Sequence, residues 1–356
     1  MSIAAGTSAS YGINTGFGPL CSTIIAREDR ARLQEKLLKS HSVGVGPSID
    51  PLLASLMLVI KVHGLCQGHS GVSPAVIDRL LWFLDQGYAP VVPSQGSVGA
   101  SGDLAPLSHL FLPLLGHGRL TGFGESPNIP IAASEVLRKH KLEPLSLGPK
   151  DGLALINGTQ FITAHAVLAT ERLGNCLNQA TLIGAMMVDG LQASHAPHDE
   201  RLHALRPHAG AVEVAASLRQ NLAGSEIPAA HADCDRVQDP YSLRCIPQVH
   251  GASLDAYKHL RDVLVVELNS VTDNPVLVGN EEVVSGGSFH GQPMALPIDY
   301  ACFAAAELGS ISERRTYFSL LGIHPNTPKL LLKDPGLDSG FMIVQYTAAA
   351  LVSENK

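Results

Sequence analysis

Charge and aromatic residues are both scarce in this 356-residue chain: Asp, Glu, Lys and Arg together make up 16% and Phe, Trp and Tyr 5%. The net charge of −7 is spread without a run of one sign, so neither a nucleic-acid footprint nor a polybasic membrane patch is visible, and a small molecule is the expected partner. Six cysteines, at 21, 66, 176, 234, 245 and 302, form no CxxC pair and no short-range framework, which argues against a disulfide scaffold and for reduced thiols. The start, MSIAAGTSAS, has neither the cationic nor the apolar stretch of a signal peptide, and Lys61 cuts short the apolar run from Leu52 to Ile60. A soluble, cytoplasmic protein is therefore expected. Three catalytic signatures are missing as well. The sixteen histidines, densest at His195, His198 and His203, contain no HExxH, and neither G-x-S-x-G nor G-x-x-x-x-G-K occurs. Metal catalysis, a serine hydrolase and a phosphate loop are not expected.

What is abundant is apolar surface. At 45% apolar, rich in Ala, Leu and Val, the chain has more than a monomer's interior needs, which predicts burial between subunits. Apolar residues recur at helical spacing over 51–66, 104–115, 152–192, 209–222, 251–268, 297–321 and 340–354, so a mainly α fold is predicted. The last pattern is still helical where the sequence stops, as if cut inside a helix or just past one. One good strand signal spans Asn274 to Val284, where PVLV and EVV flank a Gly279-Asn280 turn, and predicts a small hairpin and not a sheet. The polar, His-rich stretch SHAPHDERLHALRPHAG separates two long apolar patterns, and places a boundary near residue 195, between a more globular N-terminal region, residues 1–195, and a helical-bundle region, residues 196–356.

The stretch Pro93 to Asp103 is crowded with small residues and runs into the apolar pattern from Leu104. It predicts a loop feeding a helix, with Asp103 as N-cap and the positive helix end facing Ala100-Ser101-Gly102, where negative charge would be stabilised. On spacing alone, a plain tight turn permitted by Gly96, Gly99 and Gly102 is the better account.

GSVGASGDLAPLSH, at 96–109, closely resembles the signature of the histidine and aromatic amino-acid ammonia-lyases. Further blocks follow in that family's order: YGINTGFG at 11–18, LLKSHSVGVG at 37–46, INGTQ at 156–160, CDRVQDPYSLRC at 234–245, NSVTDNP at 269–275, SGGSFHGQP at 285–293 and GSISERR at 309–315. The resemblance implies a long-helix bundle of the ammonia-lyase and fumarase kind, assembled as a homotetramer whose active sites draw on more than one subunit. It also implies that Ala100-Ser101-Gly102 cyclises on its own into a methylidene-imidazolone, Ser101 supplying the electrophilic carbon, with no metal or dissociable cofactor. Such a group answers a chemical need, because no ordinary side chain is an electrophile and an amino group leaves poorly until something withdraws its electrons.

Roles carry over position by position. By resemblance Tyr11 is the base acting at the substrate's β-carbon, which a phenol performs at neutral pH only with help from charge or hydrogen bonds. Tyr241 and Arg244 stand three apart and share a face if helical, the arginine gripping a carboxylate while the phenol reaches the reacting centre. Asn157 and Gln238 match residues that contact the carboxylate or the prosthetic ring, and Phe289 the aromatic packed against it; Asn274 and Glu313, also in matched blocks, are read as structural or as supporting the residues that touch the substrate. His41 matches the position facing the substrate side chain, where an imidazole can hydrogen-bond a substrate imidazole or phenol and select against analogues lacking one. With Ser40-His41 and Asp239-Pro240, the blocks look more like those of the histidine enzymes than of the tyrosine ones, and imply deamination of L-histidine to urocanate. A tyrosine or phenylalanine lyase and an aminomutase use the same electrophile and stay open. So does an impaired family fragment or assembly partner, since an acidic residue of the family pattern has no match here.

Overall fold

The computed structural model describes residues 9–122, 129–230, 236–279, 282–322, 327–333 and 336–355. Its helices are α1 (Arg30–His41), α2 (Pro51–Cys66), α3 (Pro74–Asp85), α4 (Leu104–Phe111), α5 (Ala133–Lys139), α6 (Asp151–Ile156), α7 (Gln160–Gly190), α8 (Ala209–Asn221), α9 (Ile246–Leu268), α10 (Gln292–Leu320) and α11 (Met342–Glu354), with shorter helical turns between them. Each apolar periodicity named above coincides with helix, and the mainly α class is observed.

Local chemistry accounts for the boundaries. Pro51 opens α2, and the Asp50 carboxylate accepts from Leu52 N at 2.8 Å, satisfying one of the free N–H groups of the first turn. Pro113 turns the end of the 104–115 pattern into a 3-10 turn, Leu112–Leu115. The 152–192 pattern is broken once: Asn157 is extended and Gly158 has φ +145°, a conformation open only to glycine, so α6 stops and α7 starts afresh.

Strand is more plentiful than the sequence pattern predicts. The hairpin forms, β6 (Val276–Val278) pairing antiparallel with β7 (Glu282–Val284) in the register Val276↔Val284, Leu277↔Val283 and Val278↔Glu282. Asn280 of its expected turn lies outside the described residues. In addition β2 (Tyr88–Pro90), β4 (Arg119–Gly122) and β5 (Ile131–Ala132) form a three-stranded sheet in the order β2-β4-β5, and β1 (Val45–Ser48) pairs with β3 (Pro93–Gln95). These strands are two to four residues long and rich in Pro and Gly, too short to show a period of two.

Contacts divide the chain into two compact units, each boundary falling within a long helix. The first comprises residues 1–168 and 263–295. Its core gathers Leu38, Met57, Leu58, Leu80, Phe83, Leu107, Phe111 and Leu114, all shielded from solvent, each such side chain contributing about 1.5–3 kcal/mol. The second comprises residues 169–262 and 296–356, with a smaller core of Val188, Leu191, Val214, Leu218, Leu243 and Ile246. In α11 no residue is buried, and Ile343, Val344, Tyr346 and Leu351 face solvent. Residues 151–190 and 292–320 are long and apolar enough to cross a membrane by length and composition; the first is 67% buried within the protein, as core helices are.

Candidate active site

In the first unit Gly99–Ser101 forms a 3-10 turn, closed by Ser101 N donating to Val98 O at 2.9 Å and Gly102 N to Gly99 O at 3.3 Å. Gly102 has φ +83° and ψ 174°; a Cβ there would lie 3.0 Å from Gly158 O and 3.2 Å from Gly158 N, so backbone conformation and space both demand glycine. Ala100 is exposed, Ser101 half-buried, and Gly102 and Asp103 are buried. The turn thus presents its middle outward and its end against the break between α6 and α7.

Asp103 departs from expectation. It occupies the N-cap position of α4 but makes no side-chain bond there. Its carboxylate accepts instead from Phe161 N at 2.9 Å and Ile162 N at 3.1 Å, at the start of α7, and from Ser97 Oγ at 2.6 Å, while its own N–H donates to Gly158 O at 2.8 Å. One buried residue thereby ties the turn to two helix starts. Burial pushes its carboxyl above the usual carboxylate range, against the pull of those three hydrogen bonds and of Lys61.

Asn157 Nδ2 donates to Ser101 O at 3.4 Å, and Asn157 Oδ1 is buried without a hydrogen-bond partner. An unpaired buried acceptor is costly, and marks a place where a further donor fits. Phe289 is half-buried, and its Cβ lies 3.4 Å from the position a Gly102 Cβ would take; Gly291 N donates to Gly99 O at 2.8 Å. Ala100-Ser101-Gly102, Asn157 and Phe289, from three blocks far apart in sequence, are thus assembled in one place. Asn274 accepts from Gly286 N at 2.6 Å and steadies the base of the hairpin.

Behind this assembly lies a group of buried charges. Lys61 Nζ, on α2, donates to Asn157 O at 2.7 Å and to Gln160 Oε1 at 3.4 Å. Burial lowers its pKa to about 7; Asp273 and Asp103 oppose this, and Lys150 adds to it. Lys150 pairs with Asp273 at 2.7 Å, and Thr159 Oγ1 donates to Glu267, whose carboxyl burial pushes up. Lys61, Gln160 and Glu267 do not stand out as site residues in the sequence, where Lys61 marks only the end of an apolar run. Its position in that run was the available signal, since a buried lysine requires partners.

Tyr11 is half-buried, packed edge-on against Phe17 with ring centroids 6.4 Å apart, and its hydroxyl oxygen accepts from Gly18 N at 3.3 Å. His41 ends α1; its Nδ1 lies 2.9 Å from Leu37 O and 3.0 Å from Ser40 Oγ. A carbonyl only accepts, so Nδ1 carries the proton and Nε2 of the neutral ring is left as an acceptor. His41, Phe17 and Leu37 line a cavity of about 360 Å³.

Tyr241, Gln238 and Arg244 belong to the second unit. Tyr241–Arg244 forms a short helical turn, the condition under which the two share a face, with the guanidinium 4.5 Å from the Tyr241 ring centroid. Arg244 Nε donates to Asp239 O at 3.1 Å, which leaves the terminal nitrogens for another acceptor. Gln238 and Arg244 line a cavity of about 640 Å³, and Tyr241 is 72% exposed. Cys234 and Asp235 of the same block lie outside the described residues, and the described residues hold no cluster of metal-binding side chains. Glu313, also in this unit, accepts from Gln345 and from Arg314 and joins α10 to α11.

A family model described as aromatic amino acid lyase matches residues 1–356. Histidine ammonia-lyase of Sorangium cellulosum (strain So ce56) is 48% identical over 355 residues, 98% of this chain and 68% of that protein. Histidine ammonia-lyase of Burkholderia cenocepacia (strain HI2424) is 46% identical, over 99% of this chain and 69% of its own length. Among solved structures, histidine ammonia-lyase from Trypanosoma cruzi is 40% identical with a TM-score of 0.88, covering 99% of this chain and 65% of that one. Tyrosine aminomutase from Streptomyces globisporus is 35% identical with a TM-score of 0.90, covering 99% and 70%.

Proposed function

This chain belongs to the aromatic amino acid lyase family, and from that premise we propose that it removes ammonia from L-histidine without oxidation, giving urocanate. The observation that carries this reading is the joining of Asn157 and Phe289 to the Ala100-Ser101-Gly102 turn, in a chain 48% identical to a histidine ammonia-lyase.

The residues fit a methylidene-imidazolone formed autocatalytically from Ala100, Ser101 and Gly102: Gly102 leaves no room for a side chain, Ala100 faces outward, and Asn157 Oδ1 lacks a donor. Asn157 and Phe289 would hold it. When present, that group supplies an electrophilic carbon that draws electrons from the substrate amine and makes it a leaving group. No metal and no dissociable cofactor enter the proposal.

The chain's own residues bind the substrate and move its proton. Arg244 offers two parallel N–H groups to the substrate carboxylate, with Gln238 beside it, and Tyr241, whose ring stacks on the guanidinium, reaches the reacting centre with its phenol. His41 Nε2 accepts from the N–H of the substrate imidazole, which selects histidine over phenylalanine. Tyr11 is the base that takes the β-proton, its phenolic oxygen already accepting from the Gly18 N–H. The C–H pair becomes the carbon–carbon double bond as the carbon–nitrogen bond breaks and nitrogen keeps its pair.

We further infer a cytoplasmic homotetramer with active sites shared between subunits and no contact with nucleic acid or membrane. The uncovered apolar residues of α11 support assembly. The test is to offer the purified chain L-histidine, L-tyrosine and L-phenylalanine separately and to identify the products. Urocanate with one ammonia per molecule is expected from histidine. A β-amino acid product would favour the mutase reading, which the likeness to tyrosine aminomutase supports, and turnover of tyrosine or phenylalanine in place of histidine would overturn the substrate assignment.

A further inference from the structure

We infer that Lys61 is a positioning residue for this reaction, holding the break between α6 and α7 against the Ala100-Ser101-Gly102 turn; the inference rests on the function proposed above. The side chain is almost wholly buried, on a helix whose other buried residues are nearly all apolar. A leucine or methionine there would avoid the cost of taking an amine out of water. What the lysine gains is specific: its hydrogen bonds go to Asn157 O at 2.7 Å and Gln160 Oε1 at 3.4 Å, on either side of Gly158.

Those acceptors frame the segment that meets the turn. The Asn157 carbonyl falls at a helix end, where it lacks an intrahelical partner. One residue on, Gly158 O accepts from Asp103 N, and Asn157 Nδ2 donates to Ser101 O. Lys61 therefore grips the segment from behind while its front edge sets the Ser101 carbonyl and the Gly102–Asp103 backbone. The charged groups facing Lys61 are Asp103, from the loop before α4, and the Lys150–Asp273 pair, from the segments before α6 and the hairpin. The amine's hydrogen bonds go to Asn157 and Gln160 and not to the turn, so its effect on the turn passes through Asn157 and Gly158.

The test compares the unaltered chain with Lys61→Met and Lys61→Gln. Two quantities are read: the fraction of chains lighter by two waters in the peptide spanning Ala100 to Gly102, and kcat and KM for L-histidine per dehydrated chain. The expected result is a reduced dehydrated fraction in both variants, with kcat per dehydrated chain down by about a hundredfold, the size of effect a slightly misplaced reacting group produces, and KM changed far less. Lys61→Gln keeps a polar head for the polar surroundings and decides the matter if Lys61→Met is insoluble. Wild-type dehydration and wild-type kcat per dehydrated chain, even with a lowered melting temperature, would assign Lys61 to stability alone and overturn the inference. A wild-type chain that is itself never dehydrated overturns the prosthetic-group reading, and this inference with it.

Discussion

Lys61 also makes the stability of the protein depend on pH in a way that can be worked out in advance. Its pKa falls from 10.5 to about 7 on folding, chiefly because burial disfavours the ammonium. Below about pH 7 both folded and unfolded chains carry the proton and the penalty for the buried charge is at its full size. Between about 7 and 10.5 the unfolded chain binds the proton and the folded one does not, so stability rises with pH through that window and levels off above it. At about 1.36 kcal/mol per unit, raising the pH from about 7 to about 9 adds roughly 2 × 1.36, or ~3 kcal/mol, an upper figure because relaxation around the amine reduces it. Urea unfolding of wild type and of Lys61→Met at both pH values reads the effect of Lys61 together with its coupling to Asp103, Lys150 and Asp273, since titrating groups that do not face Lys61 cancel in the difference between the two proteins. The difference should move in favour of wild type as pH rises. A difference that does not change with pH would refute the reasoning.

Other substitutions probe the site directly. Gly102→Ala places a Cβ 3.0 Å from Gly158 O at φ +83°. It should cost about 1–3 kcal/mol in backbone strain and a similar amount in crowding, seen as a lower urea midpoint together with loss of dehydration at the turn. His41→Leu removes the acceptor left free at Nε2 and should lower kcat/KM for histidine by roughly a hundredfold or more while changing use of phenylalanine little, as competing-substrate assays would show. Arg244→Lys keeps the charge but loses the planar pair of donors; KM for histidine should rise about tenfold, with a smaller change in kcat, in steady-state kinetics.

The helices are legible because their apolar residues repeat, and the pattern that the fold breaks in two shows the limit. The 152–192 pattern gives no hint of a break, since Asn157, Gly158 and Thr159 interrupt an apolar face for a single turn; the break shows only in the positive φ of Gly158 and the extended backbone of Asn157. The hairpin is legible from two apolar runs flanking Gly279, whereas the strands of the three-stranded sheet carry too few residues to announce themselves. At the candidate site, the residues in matched blocks are nameable from sequence but their partners are not. Asp103 has the residue type and position of an N-cap for α4, yet its carboxylate serves α7, 58 and 59 residues further along. Lys61 reaches Asn157 across 96 positions, a separation at which neither spacing nor propensity carries information. The sequence shows that a charge sits in an apolar helix; only folding shows what it holds.

The central claim is that Ala100-Ser101-Gly102 converts itself into the electrophile. It is tested most directly by the mass of the purified, intact chain, followed by the mass of the peptide that contains the turn. A chain lighter than its sequence by two waters, with the whole loss confined to Ala100 to Gly102, is the predicted result. A mass equal to that of the unmodified sequence, with Ser101 recovered as serine, would contradict the account and leave a protein that keeps the family's fold without its chemistry.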